Sequence, residues 1–344
     1  MIELPMLRSS ERKDWKRCPT KWNWRYNESL VPLTFNAGPL WFGAGMHLAA
    51  AEHYVPGFKR GRDPRETWLE FVGETMDAVK TDKYVDDETV DSWEDAAELG
   101  VLMWDHYLKV YGNDDHIEVL MPEHIMKGII VDPVTKKPMV RLVGVTDLVA
   151  RNHAQNDRIE LWDHKNMKTI QVAHLNIDDQ NGGYLLLATK VLHDQGLIKP
   201  DEVVRGLLYN FLRKAKPDTR EQNEKGQYLN KDGSVSARQG SPYFLRHWIG
   251  KTKKERNSQL IHISEEARVM KLQRMGKLPL WKTPDDSCRW QCNFFTMCEI
   301  DERNGDVEDY KKRMFKKADP YEDYRGDKMN YKASVLGYKE RQDS

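Results

Sequence analysis

MVRLVGVTDLVA (139–150) and RIELWDHK (158–165) flank the polar turn 153–157, and their reading decides the fold. Both are rich in β-branched and apolar residues that alternate with polar ones, as half-buried strands require. A shorter β-like run, Met126 to Val131, precedes them, joined by turn chemistry in Asp132-Pro133-Val134-Thr135-Lys136-Lys137-Pro138. The three runs predict a meander of antiparallel strands. Upstream, Ser9 or Ser10 can cap a helix whose Trp15, Cys18, Trp22 and Tyr26 share one face. Gly43 to Tyr54 reads as a second helix, and residues 64–112 look mostly helical and amphipathic. Downstream, Asn181 to Leu197 reads as a helix and Val203 to Leu212 as a further strand. Gly226 to Gly240 is polar enough to be a mobile loop. The order helices, strands, helix, strand predicts an α/β core with a helical N-terminal portion.

The two strands carry chemistry at their ends. Gly144-Val145-Thr146-Asp147 closes the first and Asp163-His164-Lys165 the second. Strand side chains alternate, so Asp163 and Lys165 face the same way, and Asp147 can approach Asp163 if the strands pair. Two carboxylates and an ammonium suit a hard cation and an attacking water. Each fragment alone is common, and a surface ion pair is the bland reading. Gln180 and Tyr184 lie one helical turn apart and share a face. Gly43-Ala44-Gly45-Met46-His47 puts a histidine on the early helix, where structural histidines outnumber ligands. Glu123 or Glu118 is a further acid that can sit near the site, on a looser pattern.

Composition bounds the function classes. The chain has 344 residues with 54 Lys+Arg and 54 Asp+Glu, a formal net charge of zero. That excludes a uniformly basic nucleic-acid binder. The zero is a cancellation, however. Asp82 to Glu98 holds eight acids and one Lys, whereas Arg205 to Arg256 holds thirteen bases against five acids. Charge runs are usually solvated faces. The basic stretch, which includes Arg213, Lys214 and Lys216, also interleaves Tyr209, Phe211, Tyr228, Tyr243, Phe244 and Trp248. That is the composition of a polyanion track with stacking platforms. No apolar run approaches the ~18 residues of a membrane span, and no secretory signal is expected from Met1-Ile2-Glu3-Leu4.

The four cysteines are too few for a disulfide scaffold in a chain this long. Cys18 stands alone near the start, while Cys288, Cys292 and Cys298 fall within eleven residues. Unrelated thiols seldom crowd so closely. The spacing is looser than paired zinc knuckles, which favours an iron–sulfur cluster and leaves zinc as the rival.

The joint order Gly-x-x-x-His, Gly-x-x-Asp, Asp-x-Lys, Gln-x-x-x-Tyr resembles the PD-(D/E)XK nuclease superfamily, in its RecB-like exonuclease branch. The lone Cys18-Pro19 and the three later cysteines resemble the iron–sulfur members of that branch: the AddB nuclease domain, CRISPR-associated RecB-like exonucleases and phage-encoded relatives. The resemblance covers roughly Ser9 to Cys298. It implies a mixed sheet flanked by helices, with the chain ends joined by a 4Fe–4S cluster on Cys18, Cys288, Cys292 and Cys298. It implies Mg²⁺ or Mn²⁺ on His47, Asp147 and Asp163, with Lys165 assisting the water. Gln180 and Tyr184 would contact DNA and brace the site, and Arg213, Lys214 and Lys216 would guide the strand. The implied divisions are 1–112 (helical, with the first cluster Cys and the site His), 113–260 (nuclease core), 261–300 (cluster-binding segment) and 301–344 (charged tail with no assigned role). The implied activity is metal-dependent DNA exonuclease action in recombination, repair or CRISPR-related processing. Implied partners are DNA with a single-stranded end, and a homo-oligomer or a recombination or CRISPR protein, in the cytoplasm of a bacterial or phage-infected cell. A non-cutting DNA-binding accessory protein and a zinc-stabilised structural protein are the alternatives. No Gly-x-x-x-x-Gly-Lys-Ser/Thr is found, so no helicase motor is expected.

Overall fold

The computed structural model describes residues 4–33, 38–80 and 87–331. Asp82, Lys83 and Asp86 of the acidic run, residues 1–3, and residues 332–344 of the tail lie outside the described residues.

The chain opens with β1 (Met6–Arg8) and α1 (Ser9–Arg17). The helix expected to reach Tyr26 stops at Cys18. Pro19 disfavours helical backbone in the residue before it, and Cys18 is extended at φ −159° and ψ 106°. A short helix, α2 (Pro19–Trp22), restarts with proline at its first turn and passes into a π-helical turn, Asn23–Asn27. The break turns Cys18 into a helix cap, its Sγ 3.5 Å from Lys21 N.

After β2 (Leu30–Pro32) come α3 (Gly38–His53), α4 (Pro64–Lys80) and α5 (Asp87–Tyr111). They form an aromatic subassembly around Trp41, Phe42, Met46, Trp68, Phe71 and Trp104. A Cβ on Gly45 would lie 2.5 Å from Phe71 Cδ1, so only glycine lets α3 approach α4 this closely.

The expected meander is present as β3 (Ile117–Val131), β4 (Pro138–Asn152) and β5 (Arg158–Met167). It does not continue antiparallel. Helix α6 (Asp179–Asp194) crosses over, and β6 (Gly206–Arg213) pairs parallel with β5, which makes the sheet mixed. Strand β7 (Phe244–Gly250) then pairs antiparallel with β6, and β1 pairs parallel with β4. Both short edge strands escape the sequence reading. Helix α7 (Lys253–Arg274) begins with a Thr252/Glu255 capping box. Beyond it lie α8 (Cys288–Gln291), α9 (Phe295–Glu302), α10 (Val307–Met314) and β8 (Phe315–Lys317), which pairs with β2.

One sheet face packs Val149, Leu161, Leu207 and Tyr209 against α6 and α7, through Leu185, Ala188, Ile263 and Met270. The other packs Leu148, Ala150, Trp162 and Leu208 around Tyr54. Between Asn223 and Val235 the expected loop is ordered by turns and by the bridge Leu229↔Val235. The chain ends meet through protein contacts: Arg12 with Glu266, Trp15 Nε1 on Gln273 Oε1 at 2.7 Å, Thr20 N on Trp281 O at 3.2 Å, and Arg17 Nη1 on Gln291 Oε1 at 3.0 Å. Among the described residues, no helix is long and apolar enough to cross a membrane.

Candidate active site

The site lies where the sheet forks. On one side of β4, β1 pairs with Arg141–Val143 and β5 pairs with Leu148–Asn152. Residues 144–147 have neither neighbour there. One step past the last β4–β5 pair, Leu148↔Trp162, stand Asp147 and Asp163. The strands part at this point: β5 runs on along β6, which it pairs on its other edge from Leu161 onward, while the β4 ladder to β5 ends at Leu148↔Trp162. The freed N–H of His164 donates to Asp147 Oδ2 at 2.6 Å, so the carboxylate takes over a ladder bond the fork has removed. Both acids are nearly buried, with 10% and 8% of their side chains exposed.

Cationic side chains converge on the pair. Lys165 Nζ lies 3.0 Å from Asp163 Oδ1 and 2.7 Å from Oδ2, the second contact an ion pair without hydrogen-bond alignment. Lys165 shares the Asp163 face, as alternation requires. His47, delivered by α3, sets Nδ1 3.2 Å from Asp147 Oδ1. Gln180, at the start of α6, places Nε2 3.4 Å from Asp163 Oδ1, while Asp178 caps the helix by accepting from Gln180 N at 2.7 Å. Tyr184, one turn on, lies flat against Gly144, where a Cβ would stand 2.4 Å from its Cε1. That contact explains the glycine of Gly-x-x-Asp. By contrast Gly43, the glycine of Gly-x-x-x-His, has open space around it, and Gly45 is the constrained one.

The electrostatics separate the two acids. Burial raises Asp163, against the pull of Lys165 and reinforced by the neighbouring Asp147 charge. Asp147 feels the same burial, but His47 and His164 outweigh it and hold it below the ordinary carboxylate range. The reciprocal effect raises His47 against its own burial, and Asp163 likewise raises Lys165. One carboxyl is thus pushed toward the proton and the other away from it. His164 belongs to the opposite face: its ring meets Asn210 at 2.9 Å, and burial pulls it down to about 4.

Of the two loosely matched glutamates, the structure brings only Glu123 in. Glu118 pairs instead with His153 and Arg151. Pairs Pro122↔Leu148 and His124↔Thr146 bracket Glu123 and Asp147, placing them opposite each other. A β-bulge between Val119 and Met121 shifts the register by one, and without it Pro122 would hold that position. Burial lifts Glu123 to about 7, with Tyr331 opposing and Asp147 reinforcing the rise. Tyr331, which no sequence signal indicates, stacks on His47 with ring centroids 5.8 Å apart.

The basic region is only partly a surface track. Tyr209 and Phe211 are core residues, because β6 is covered on both faces: Leu207, Tyr209 and Phe211 pack in the cluster with α6 and α7, and Leu208 and Leu212 in the clusters on the other side. Phe244 packs against the aromatic helices, and Arg246 is paired with Asp114 at 2.6 Å while its guanidinium lies 3.7 Å from the Tyr111 ring. Arg213, Lys214 and Lys216 do gather at the C-terminal end of β6, beside the end of β5: Met167 pairs with Arg213, and Lys214 N donates to Met167 O at 2.8 Å. Arg213 lies over the Tyr243 ring at 4.5 Å, Lys214 over Phe42 at 3.8 Å, and Lys216 is 3.5 Å from Glu98.

The four cysteines come together. Cys18, Cys288, Cys292 and Cys298 line one cavity of about 540 Å³ with Lys21, Trp24, Lys282 and Phe295. Burial raises the Cys292 and Cys298 thiols, and the neighbouring cysteines reinforce the rise. Among the described residues, no three His, Cys, Asp or Glu side chains are gathered into a group that would hold a metal ion. At the fork, protein cations meet the acidic oxygens. At the cysteines, the thiols surround a cavity.

A family model for the PD-(D/E)XK nuclease superfamily matches residues 10–299. No curated protein matches the sequence. Among solved structures, one described as "Putative exonuclease" from Eubacterium rectale shares 10% identity, with 74% of this chain and 91% of that chain covered and a TM-score of 0.32.

Proposed function

The chain belongs to the PD-(D/E)XK nuclease superfamily, and from that premise we propose that it is a divalent-metal-dependent DNA exonuclease acting at single-stranded ends. The observation that carries the reading is the convergence of Asp147, Asp163, Lys165, His47 and Gln180 on one nearly buried fork. The donor set of carboxylates and one imidazole suits Mg²⁺ or Mn²⁺, the imidazole favouring Mn²⁺. His47 Nδ1 is buried without an aligned hydrogen bond, as a ligand atom would be. Asp147, Asp163 and His47 are the residues that would hold the ion, which would supply an activated water and charge stabilisation at the scissile phosphate.

The rest is the work of side chains. Lys165 stays charged beside Asp163 and orients the attacking water. Gln180 fixes the Asp163 carboxylate, and Tyr184 braces the fork through Gly144. Arg213, Lys214 and Lys216, at the neighbouring strand ends, attract the phosphate backbone. Tyr228 and Tyr243, paired with Arg220 and Arg213, are the half-exposed aromatics available to stack on unpaired bases.

The four cysteines belong to the same reading as a soft-metal centre, a 4Fe–4S cluster with zinc as its rival. Its support is the shared cavity of four thiols drawn from both ends of the matched region. Anaerobically purified protein should absorb in the visible and contain iron and sulfide. Stoichiometric zinc in a colourless, folded protein would exclude the cluster.

The activity is tested with 5′- and 3′-labelled single- and double-stranded DNA in Mg²⁺, Mn²⁺ and chelator. Metal-dependent release of short products from one labelled end supports the reading. Cleavage that persists in chelator, or intact DNA in both metals, refutes it.

A further inference from the structure

The charged tail returns to the site. Beyond β8 it is rooted in the core: Tyr321 is buried with its hydroxyl on Glu11, and Tyr324 lies 5.0 Å under the Arg8 guanidinium. Residues 325–328 are exposed and follow the outer edge of β3. Ile125 N donates there to Asp327 O at 2.8 Å, and Lys127 Nζ to Arg325 O at 3.0 Å and Gly326 O at 2.7 Å. A segment held by a few surface hydrogen bonds opens at low cost, whereas its buried root does not.

The far end of this strap meets the fork. Met329 N reaches Glu123 Oε1 at 3.2 Å. The Tyr331 phenol hydrogen-bonds the same carboxyl, and its ring stacks on His47 at 15° between planes. Those two residues flank Asp147: His47 Nδ1 is 3.2 Å from Oδ1, and Glu123 stands across the ladder. Tyr331 touches both and so spans the approach to Asp147 from that side. Burial raises its hydroxyl, and the charges of Asp147 and Glu123 reinforce the rise, which keeps it a donor. With Asp147 and Asp163 already 10% and 8% exposed, the fork beneath the strap offers a polymer little room.

Building on the proposed nuclease reading, we propose that residues 325–331 are an autoinhibitory strap, closed by Tyr331 on His47 and Glu123 and rooted at Tyr321. Closed, it keeps a phosphodiester from Asp147. Open, it clears the fork while Tyr321 stays in the core. A DNA strand and the strap then compete for one place, and DNA shifts the population by binding only the open form.

The test uses the full chain on a short, end-labelled single strand in Mn²⁺. Tyr331→Ala removes both contacts of the closed form. It should lower KM at least about tenfold and leave kcat near wild type, because saturating DNA opens the wild-type strap as well. Lys127→Met loosens the exposed stretch and should lower KM about threefold. A readout apart from activity is hydrogen exchange of the metal-free chain without DNA: the Ile125 amide, held by Asp327 O, should exchange about tenfold faster in Tyr331→Ala. An active wild type whose Tyr331→Ala has an unchanged or higher KM, a lower kcat, or an unchanged Ile125 exchange rate overturns this inference alone. If Tyr331→Ala fails to fold, Lys127→Met decides, and a wild-type KM there overturns the proposal. Absence of cleavage by wild type and by both variants overturns the nuclease reading with it.

Discussion

The fork and the cysteine cavity are both places where reactive groups gather, yet they are built in opposite ways. At the fork, the acids and the lysine are aimed by paired strands, and long helices bring His47, Gln180 and Tyr184. Strand register sets Asp147 against Glu123, alternation puts Lys165 beside Asp163, and Gly144 admits Tyr184. At the cysteines, the thiols come from the Cys18 break and from short helices, α8 and α9, with little sheet to fix them. The first site rests on regular strands and long helices, the kind of scaffold that holds a catalytic site in place. The second joins segments some 270 residues apart in sequence, a separation at which closing the chain is entropically expensive. Changes at the fork should therefore act on chemistry, and changes at the cysteines on stability.

The largest effect should come from the fork. Lys165→Ala should slow metal-dependent DNA cleavage by about a thousandfold, the loss of ~4 kcal/mol of transition-state stabilisation. Its unfolding temperature should stay near wild type, because among the described residues the ammonium's ion pair is with Asp163, which burial already pushes toward its neutral, protonated form. A variant that unfolds instead would erase the contrast. Next is Cys292→Ala, which should lower the unfolding temperature by about 10 °C or more if a metal centre is lost. The fraction that stays folded should still cut DNA at a near-normal rate, as measured by activity per folded molecule. Abolished chemistry in folded protein would mean that the cysteines serve the reaction.

Gly144→Ala sharpens the comparison, since it strains the fork without touching a charged group. The added methyl would sit 2.4 Å from Tyr184. It should cost about 1–3 kcal/mol in denaturant unfolding and displace Tyr184 from its place on the strand. Cleavage should fall with it, by less than for Lys165→Ala. The smallest effect lies outside both regions. Glu202 accepts hydrogen bonds from Arg151 and from Lys199 N, and these hold its carboxyl down to about 2. A depressed folded value gives stability that is present above the unfolded value of about 4.3 and is lost as pH falls through about 2. Acid unfolding should therefore separate wild type from Glu202→Gln at neutral pH, and the two should converge below about pH 2.

The meander and the carboxylate–lysine spacing were legible because alternation and turn chemistry are local. Asp163 and Lys165 share a face for that reason, and Gln180 and Tyr184 share one through the helical period. Other features depended on non-local facts. Glu123 joins the site only through the bulge near Leu120, and a one-residue shift changes which side chain faces Asp147. Tyr331 arrives by a return of the tail that no periodicity records. Strands β1 and β7 are short edges whose pairing depends on distant partners. Tyr209 and Phe211 looked like stacking platforms because composition cannot tell a doubly buried strand from an exposed aromatic track. The zero net charge is likewise a sum over regions. Its bases divide between Arg246, locked to Asp114, and Arg213 with Lys214 and Lys216 beside the fork.

The central claim is that the forked carboxylates form the metal-dependent nuclease centre. It is tested most directly by comparing wild type and Asp163→Asn on end-labelled DNA in Mn²⁺, each first shown to be folded. Metal-dependent degradation by wild type and none above background by Asp163→Asn is the predicted result. Degradation by Asp163→Asn at the wild-type rate would contradict the claim.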